Sequence, residues 1–313
     1  MSNFTLLFQL LLNGVIPVGI ICFLGYFFGC KKVFDRDQAN TILKFVATIG
    51  VPAISADIVS TVEFQQLDLY LCGLYTISEL ITYFFGFSVA RFFFRVQIPE
   101  AILVGAAASF ANHVLFVYPI ALLEFDKAQV TPITSIILVD VIVLSVTVFF
   151  LDWTSSNKTG VLRLIFKQSK NPALLGLLLG AFILLAPFGM PIGVERTFEF
   201  IANSAAPCAL FALGLLLSYE NKSEQFRLAI FISLLKVVVH PFLAGMFIFF
   251  LASYSIKDAQ TTMMVSVAPV GLMALTFAPK YNVRTDAIAL SIMLTFLISL
   301  FLVPFFGVID SLV

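Results

Sequence analysis

Asn112 and His113 stand side by side in the middle of a long apolar run, directly after Ala106-Ala107-Ala108-Ser109-Phe110-Ala111. A second apolar run holds Ser266-Val267-Ala268-Pro269-Val270-Gly271 at its centre. Proline removes a backbone donor and clashes with the preceding turn, so it breaks or kinks a helix. In a membrane such a break survives only where it is buried or lines a cavity. Both runs are therefore read as discontinuous helices that cross at mid-membrane. Two new helix N-termini then fall near Val114 and near Leu272. Their free N–H groups and the helix dipole favour an anion. The Asn112 amide adds a donor suited to a carboxylate, and His113 adds a titratable group. The expected site comprises Asn112, His113, Val114, Pro269, Val270 and Gly271. Two kinked helices with no site are the plain alternative.

Four ionisable residues lie inside other apolar runs: Glu79, Asp140, Lys236 and His240. A charge at a helix centre costs about 2.5–3.5 kcal/mol on insertion scales, so such residues face a cavity, pair up, or carry function. Glu79 and Lys236 fall at near-equivalent places in the two halves of the chain. Either they form a pseudo-symmetric ion pair or Glu79 binds a proton. Sodium coupling through the carbonyls of a broken helix is a further route open to such a chain.

These residues need a membrane scaffold, and the composition supplies one. The 313 residues are 60% hydrophobic and only 12% charged, against about 25% charge in soluble domains. No alternating strand pattern points to an outer-membrane barrel. The zero net charge gives no support for nucleic-acid binding. Cys22, Cys30, Cys72 and Cys208 sit in or beside apolar runs without metal or redox spacing, and are read as packing residues. No metal or cofactor is expected. A spanning helix needs about 20 apolar residues. Ten such spans are read, at roughly 6–28, 38–61, 67–93, 98–123, 132–153, 172–190, 195–219, 227–252, 259–279 and 285–309. The first is read as a retained helix, since it lacks a basic leader and a small-residue cleavage site.

Loops after the odd-numbered spans carry thirteen Lys and Arg, the other loops three. The odd loops are thus cytoplasmic and both termini outside. At an offset of 155 residues the halves repeat: Pro17 falls on Pro172, Gly25 on Gly180, and Pro52 on Pro207, the last pair within F-[V/I]-A-x-x-x-x-P. Pro52 and Pro207 are read as equivalent helix breaks. Five spans per half force the second copy upside down, as in inverted-repeat carriers. The expected organisation is a first repeat over 1–155, a cytoplasmic linker over 156–171 and a second repeat over 172–313. Gly25-x-x-x-Gly29 and Gly176-x-x-x-Gly180 are read as sites of close helix packing.

Several further motifs, in order along nearly the whole chain, resemble the auxin efflux carrier family, which includes bacterial malonate-type permeases. They are Lys170-Asn171-Pro172, the stretch Ala206-Pro207-Cys208-Ala209-Leu210-Phe211-Ala212-Leu213-Gly214, and Lys236-Val237-Val238-Val239-His240-Pro241. Asn112 and Pro119 keep the spacing of the family's N-x-x-x-x-G-x-P crossover, and Pro269, Ala278 and Tyr281 resemble its P…A-x-x-Y segment. His113 follows the crossover Asn, and Val117 stands where the family has glycine. The resemblance implies an all-α bile acid/auxin transporter-like fold. In it spans 1, 2, 6 and 7 form a scaffold, while spans 3–5 and 8–10 form a mobile transport domain. It also implies an elevator motion, a substrate beside the crossover, and pairing of two copies through the scaffold.

The leading expectation is a secondary carrier or uniporter of small organic anions, mono- or dicarboxylates, in the bacterial inner membrane, with coupling to H+ or Na+ left open. A ligand sensor without net flux is the alternative, and His113 and Val117 are the residues that support it. An intramembrane enzyme has less support: H-E-x-x-H and G-x-S-x-G are absent, as is the G-x-x-x-x-G-K-[S/T] loop of ATP-driven pumps.

Overall fold

A backbone inside lipid must satisfy its own N–H and C=O groups, which restricts apolar runs to helices or closed barrels. The computed structural model describes residues 11–12, 16–61, 65, 67–155, 172–186, 191–219 and 225–309, and they are helical apart from short connections and one isolated bridge. The linker expected over 156–171 and both chain ends lie outside the described residues.

In chain order the helices are α1 (Ile16–Cys30), α2 (Arg36–Phe45), α3 (Val51–Thr61), α4 (Leu69–Phe92), α5 (Ile98–Ser109), α6 (Tyr118–Glu124) and α7 (Lys127–Ser155). Then come α8 (Pro172–Leu185), α9 (Ile192–Tyr219), α10 (Phe226–Leu234), α11 (His240–Gly245), α12 (Ile256–Ser266), α13 (Met273–Phe277) and α14 (Asp286–Val308). Among the described residues six helices are long and apolar enough to cross a membrane: Arg36–Ser60, Leu69–Phe92, Lys127–Ser155, Ile192–Tyr219, Phe226–Leu251 and Asp286–Val308. This is a multi-pass membrane protein. Large side chains such as Phe84, Phe92, Phe182, Phe200 and Phe250 are exposed on it, as a surface solvated by lipid tails requires.

Helix starts follow local chemistry. Asp35 caps α2 by accepting from the Gln38 N–H at 2.7 Å, while Gln38 Oε1 accepts from the Asp35 N–H at 2.8 Å. That reciprocal pair satisfies two otherwise orphaned donors. Asp68 caps α4 through the Leu71 N–H at 2.9 Å and also accepts from the Tyr254 hydroxyl at 2.7 Å.

Pro52 and Pro207 do not break their helices. Pro207 lies inside the uninterrupted α9. Pro52 lies in the first turn of α3, which continues α2 through a π turn, Val46–Gly50. Ending a helix in lipid would strand several backbone groups, whereas a proline removes one hydrogen bond. Pro119 and Pro241 are accommodated in the same way as Pro52. The π turns Val46–Gly50, His113–Val117 and Leu235–Val239 each end two residues before a proline. The wider turn gives room for the ring that would otherwise press on the carbonyl four residues back.

Two helix pairs pack unusually closely. A Cβ on Gly25 of α1 would lie 2.0 Å from the Phe211 carbonyl oxygen of α9, and one on Gly214 of α9 would lie 1.9 Å from the Cys22 oxygen of α1. On the other side, a Cβ on Gly180 of α8 would lie 2.6 Å from the Ala56 oxygen of α3, and one on Gly176 would lie 2.4 Å from the Pro52 oxygen. Both small-residue motifs therefore bring backbones together.

The apolar runs over 98–123 and 259–279 are interrupted. Helix α5 ends at Ser109 and helical structure resumes at His113; α12 ends at Ser266 and resumes at Met273. The two extended segments meet in an antiparallel bridge between Ala111 and Val270. The Asn112 N–H donates to the Pro269 oxygen at 2.8 Å, and the Gly271 N–H to the Phe110 oxygen at 2.9 Å. Helix α14 supports the crossing from one side. Thr295 Oγ1 accepts from the Val270 N–H at 3.1 Å, and Ser299 Oγ donates to the Val267 oxygen at 2.6 Å.

Two stability outcomes follow for thermal unfolding in detergent. Gly214→Ala lowers stability by about 1–3 kcal/mol, the usual cost of overpacking, whereas Gly19→Ala, where a Cβ meets nothing within 4 Å, leaves it unchanged. Thr295→Val strands the buried Val270 N–H and costs about 1–3 kcal/mol; Thr295→Ser, which keeps an acceptor, restores most of it.

Candidate functional site

A cavity lies against the crossing. One wall is α3, through Val51, Ile54 and Ser55; the other is the crossing together with α7. It offers about 90 Å³ to the centre of a water-sized molecule, room for a ligand of a few heavy atoms. Asn112, His113, Val114 and Gly271 line it, as does Asp140 from α7. Pro269 and Val270 are not in its lining. They form the bonds that hold the crossing, which is a positioning role.

The polar groups at the cavity are buried and under-used. Among the described residues Asn112 Nδ2 and His113 Nε2 have no hydrogen-bond partner, and neither Asp140 oxygen has an N–H or hydroxyl donor; the Asp140 carboxyl lies against that of Glu79. His113 Nδ1 lies 3.0 Å from the Ala111 oxygen, so that nitrogen carries the proton and donates. It is 3.5 Å from Asp140 Oδ2. With Nδ1 protonated, Nε2 of the neutral ring is a bare lone pair, able to take a second proton. Unpartnered buried polar atoms are costly, and here they belong to three residues that line one cavity.

Backbone donors point to the same place. Phe116 is the residue whose N–H returns to the Asn112 oxygen, at 3.0 Å. The N–H groups of His113, Val114 and Leu115 therefore lie ahead of that first intrahelical bond, with the partial positive charge of a helix start. On the second strand the Thr276 N–H returns to the Leu272 oxygen at 3.0 Å, which leaves Met273 in the equivalent place beside the cavity. The lining is otherwise apolar, so these few polar groups set its orientation preference.

The remaining ionisable residues do not line the cavity. Lys236 is fully buried on the π turn Leu235–Val239. Its Nζ donates to the Ser109 oxygen at 3.1 Å, the Ser266 oxygen at 3.2 Å and His240 Nδ1 at 3.0 Å. It makes no direct ion pair with Glu79, contrary to one of the two sequence expectations. Its three donors go instead to the two helix ends and a ring nitrogen. Glu79 is fully buried, its carboxyl against that of Asp140, with no N–H or hydroxyl donor to either oxygen among the described residues. The His240 ring packs edge-on against Tyr75, centroids 5.1 Å apart.

Two contributions were missed in the sequence. The α3 wall carries Ser55, which gives no pattern that marks it. The support from α14 does leave a trace: Ser291, Thr295 and Ser299 recur every four residues on an otherwise apolar helix. Such a stripe lines one helix face, and here that face meets the unwound backbone of 267–270.

The profile of the membrane transport protein family matches residues 10–307. A protein of Rhizobium meliloti (strain 1021) described as "Putative malonate transporter" is 22% identical over 293 residues, covering 91% of each chain. "Uncharacterized transporter YfdV" of Escherichia coli (strain K12) is 23% identical over 284 residues, covering 88% of this chain and 89% of its own. Helical spans and bacterial relatives together place the protein in the inner, plasma membrane. With a profile match over nearly its whole length, crossed broken helices and the motifs read above, this chain belongs to the membrane transport protein family, that of the auxin efflux carriers.

Proposed function

We propose that this transporter carries small organic anions, mono- or dicarboxylates, by alternating access. The observation that carries the reading is the polarity of the crossing. Its helix starts and Asn112, whose amide nitrogen has no partner, border a small cavity, while both helix C-termini are already occupied by Lys236. An anion completes the first arrangement. A cation has no equivalent vacancy beside the cavity except at Asp140. A relative described as a malonate transporter fits the same ligand class.

In this reading the chain is ten spans in two inverted repeats. The glycine contacts support it: Gly25 meets Phe211 and Gly180 meets Ala56. Positions 25 and 180, and positions 56 and 211, are each 155 apart, which is the offset of the sequence repeat. The close pairs α1–α9 and α3–α8 make a rigid scaffold, to which a second copy docks. Helices α4–α7 and α10–α14 move past it as an elevator. The cavity, with α3 on one side and the crossing on the other, is the substrate site between them.

The substrate carboxylate accepts from Asn112 Nδ2 and the N–H groups at the start of the helix after the first crossing. Asp140 opposes an anion in the same cavity unless a proton accompanies it. The His113 Nε2 lone pair is one place for that proton, and the Glu79 and Asp140 carboxylates are others. Proton and anion thus favour each other's binding, and by linkage substrate affinity rises as pH falls.

Transient currents from proteoliposomes on a solid-supported membrane, with a panel of mono- and dicarboxylates, test the reading. One carboxylate gives a saturable response. Asn112→Ala weakens its apparent affinity by about 10- to 100-fold, the value of one hydrogen bond to a charged group. A folded protein silent to every carboxylate refutes the assignment. His113→Gln, which cannot take the second proton, flattens the rise of apparent affinity towards acidic pH; an unchanged profile assigns the proton to the carboxylates.

A further inference from the structure

The mid-membrane crossing has two electrical ends, and only one of them faces the cavity. At the other, α5 and α12 stop at Ser109 and Ser266, so their last carbonyls have no helical partner. Each helix end carries about half a negative charge. Two such ends side by side amount to roughly one negative charge in a region without water. Something positive must sit there. In broken-helix carriers the usual occupant of such carbonyls is a coupling sodium ion.

Here the occupant is a side chain. Lys236 reaches both carbonyls from its π turn, at 3.1 and 3.2 Å, and fills its third donor with His240 Nδ1 at 3.0 Å. The ammonium is completely buried, all three protons are used, and its charge matches that of the two helix ends. A bare ammonium so placed costs several kcal/mol unless compensated; the paired helix ends, with the Glu79 and Asp140 carboxyls nearby, supply the compensation. The π turn itself is tied to Pro241, two residues beyond it, so the reach of Lys236 is set by the local backbone.

We infer that Lys236 is a covalently tethered cation standing where a sodium ion would bind, so that the carrier runs without sodium, and that its removal uncovers a monovalent-cation site. The Ser109 and Ser266 oxygens would line that site, with the buried Glu79 and Asp140 as its acidic neighbours. The inference rests on the transporter reading for its consequence in the cycle, but the cation site itself does not depend on the substrate.

The test uses purified full-length protein, wild type and Lys236→Ala, with thermal unfolding in sodium chloride, methylammonium chloride or choline chloride at equal ionic strength. Wild type unfolds at the same temperature in all three. Lys236→Ala is destabilised in choline and recovers saturably in sodium or methylammonium, as a ligand that binds only the folded state requires. In proteoliposomes wild-type currents persist when choline replaces sodium, and those of Lys236→Ala need sodium. Saturable stabilisation of wild type by sodium, or currents that need it, overturns the inference even if no variant folds. So does a folded Lys236→Ala that is indifferent to both small cations. Absence of carboxylate currents under every cation instead defeats the transport reading and leaves the unfolding result to decide the cation site.

Discussion

A hydrocarbon interior offers no water to an unpaired peptide group, and every unusual feature of this structure answers to that constraint. Two helices stop in mid-membrane, and each stop exposes donors on one side and acceptors on the other. The extended segments between them satisfy part of the debt by pairing with each other, through Asn112 with Pro269 and Gly271 with Phe110. Helix α14 satisfies more, through Thr295 and Ser299. Lys236 takes the exposed carbonyls of Ser109 and Ser266. Of what remains unsatisfied among the described residues, Asn112 Nδ2 and His113 Nε2 belong to residues that line one cavity, beside the helix starts. A site is legible here as the part of the crossing that the protein does not complete for itself.

The same bookkeeping separates the buried charges by role. Lys236 is saturated with partners and serves the architecture of the crossing; the buried Glu79 and Asp140 carboxyls lie against each other and accept from no N–H or hydroxyl donor among the described residues. Two adjoining ionised carboxylates in a low-dielectric interior are expensive.

Much of this was legible in the sequence because a membrane makes polar residues conspicuous. Asn112, His113 and Pro269 stood out against apolar surroundings, and the break they implied is the crossing. Composition and span length gave a multi-pass helical protein for the same reason. Pairing was less legible. Lys236 and Glu79 looked like partners because both are charged and similarly placed, yet the ammonium goes to backbone carbonyls, which no side-chain pattern records. Pro52 and Pro207 were read as breaks because proline forbids one hydrogen bond; their helices lose that bond and continue, Pro52 with the help of a π turn. Ser55 gave no signal, since its place beside the cavity follows from how α3 packs and not from its neighbours in the chain.

The glycine contacts and the crossing set limits on where this molecule can move. Helices α1 and α9, and α3 and α8, touch backbone to backbone at Gly25, Gly214, Gly176 and Gly180. Such surfaces are bound by van der Waals packing over short distances, and sliding them by one residue would drive a side chain into a carbonyl. The crossing is tied equally firmly, by hydrogen bonds to α14 and by Lys236. The wall between α3 and the crossing is different. It is an apolar face of Val51 and Ile54 against a cavity, with no main-chain hydrogen bond spanning it among the described residues. If the two tightly knit groups shift relative to one another, this is the surface with the least to break, and it is also the one that holds the unpartnered donors. A shift along that wall would leave the crossing intact.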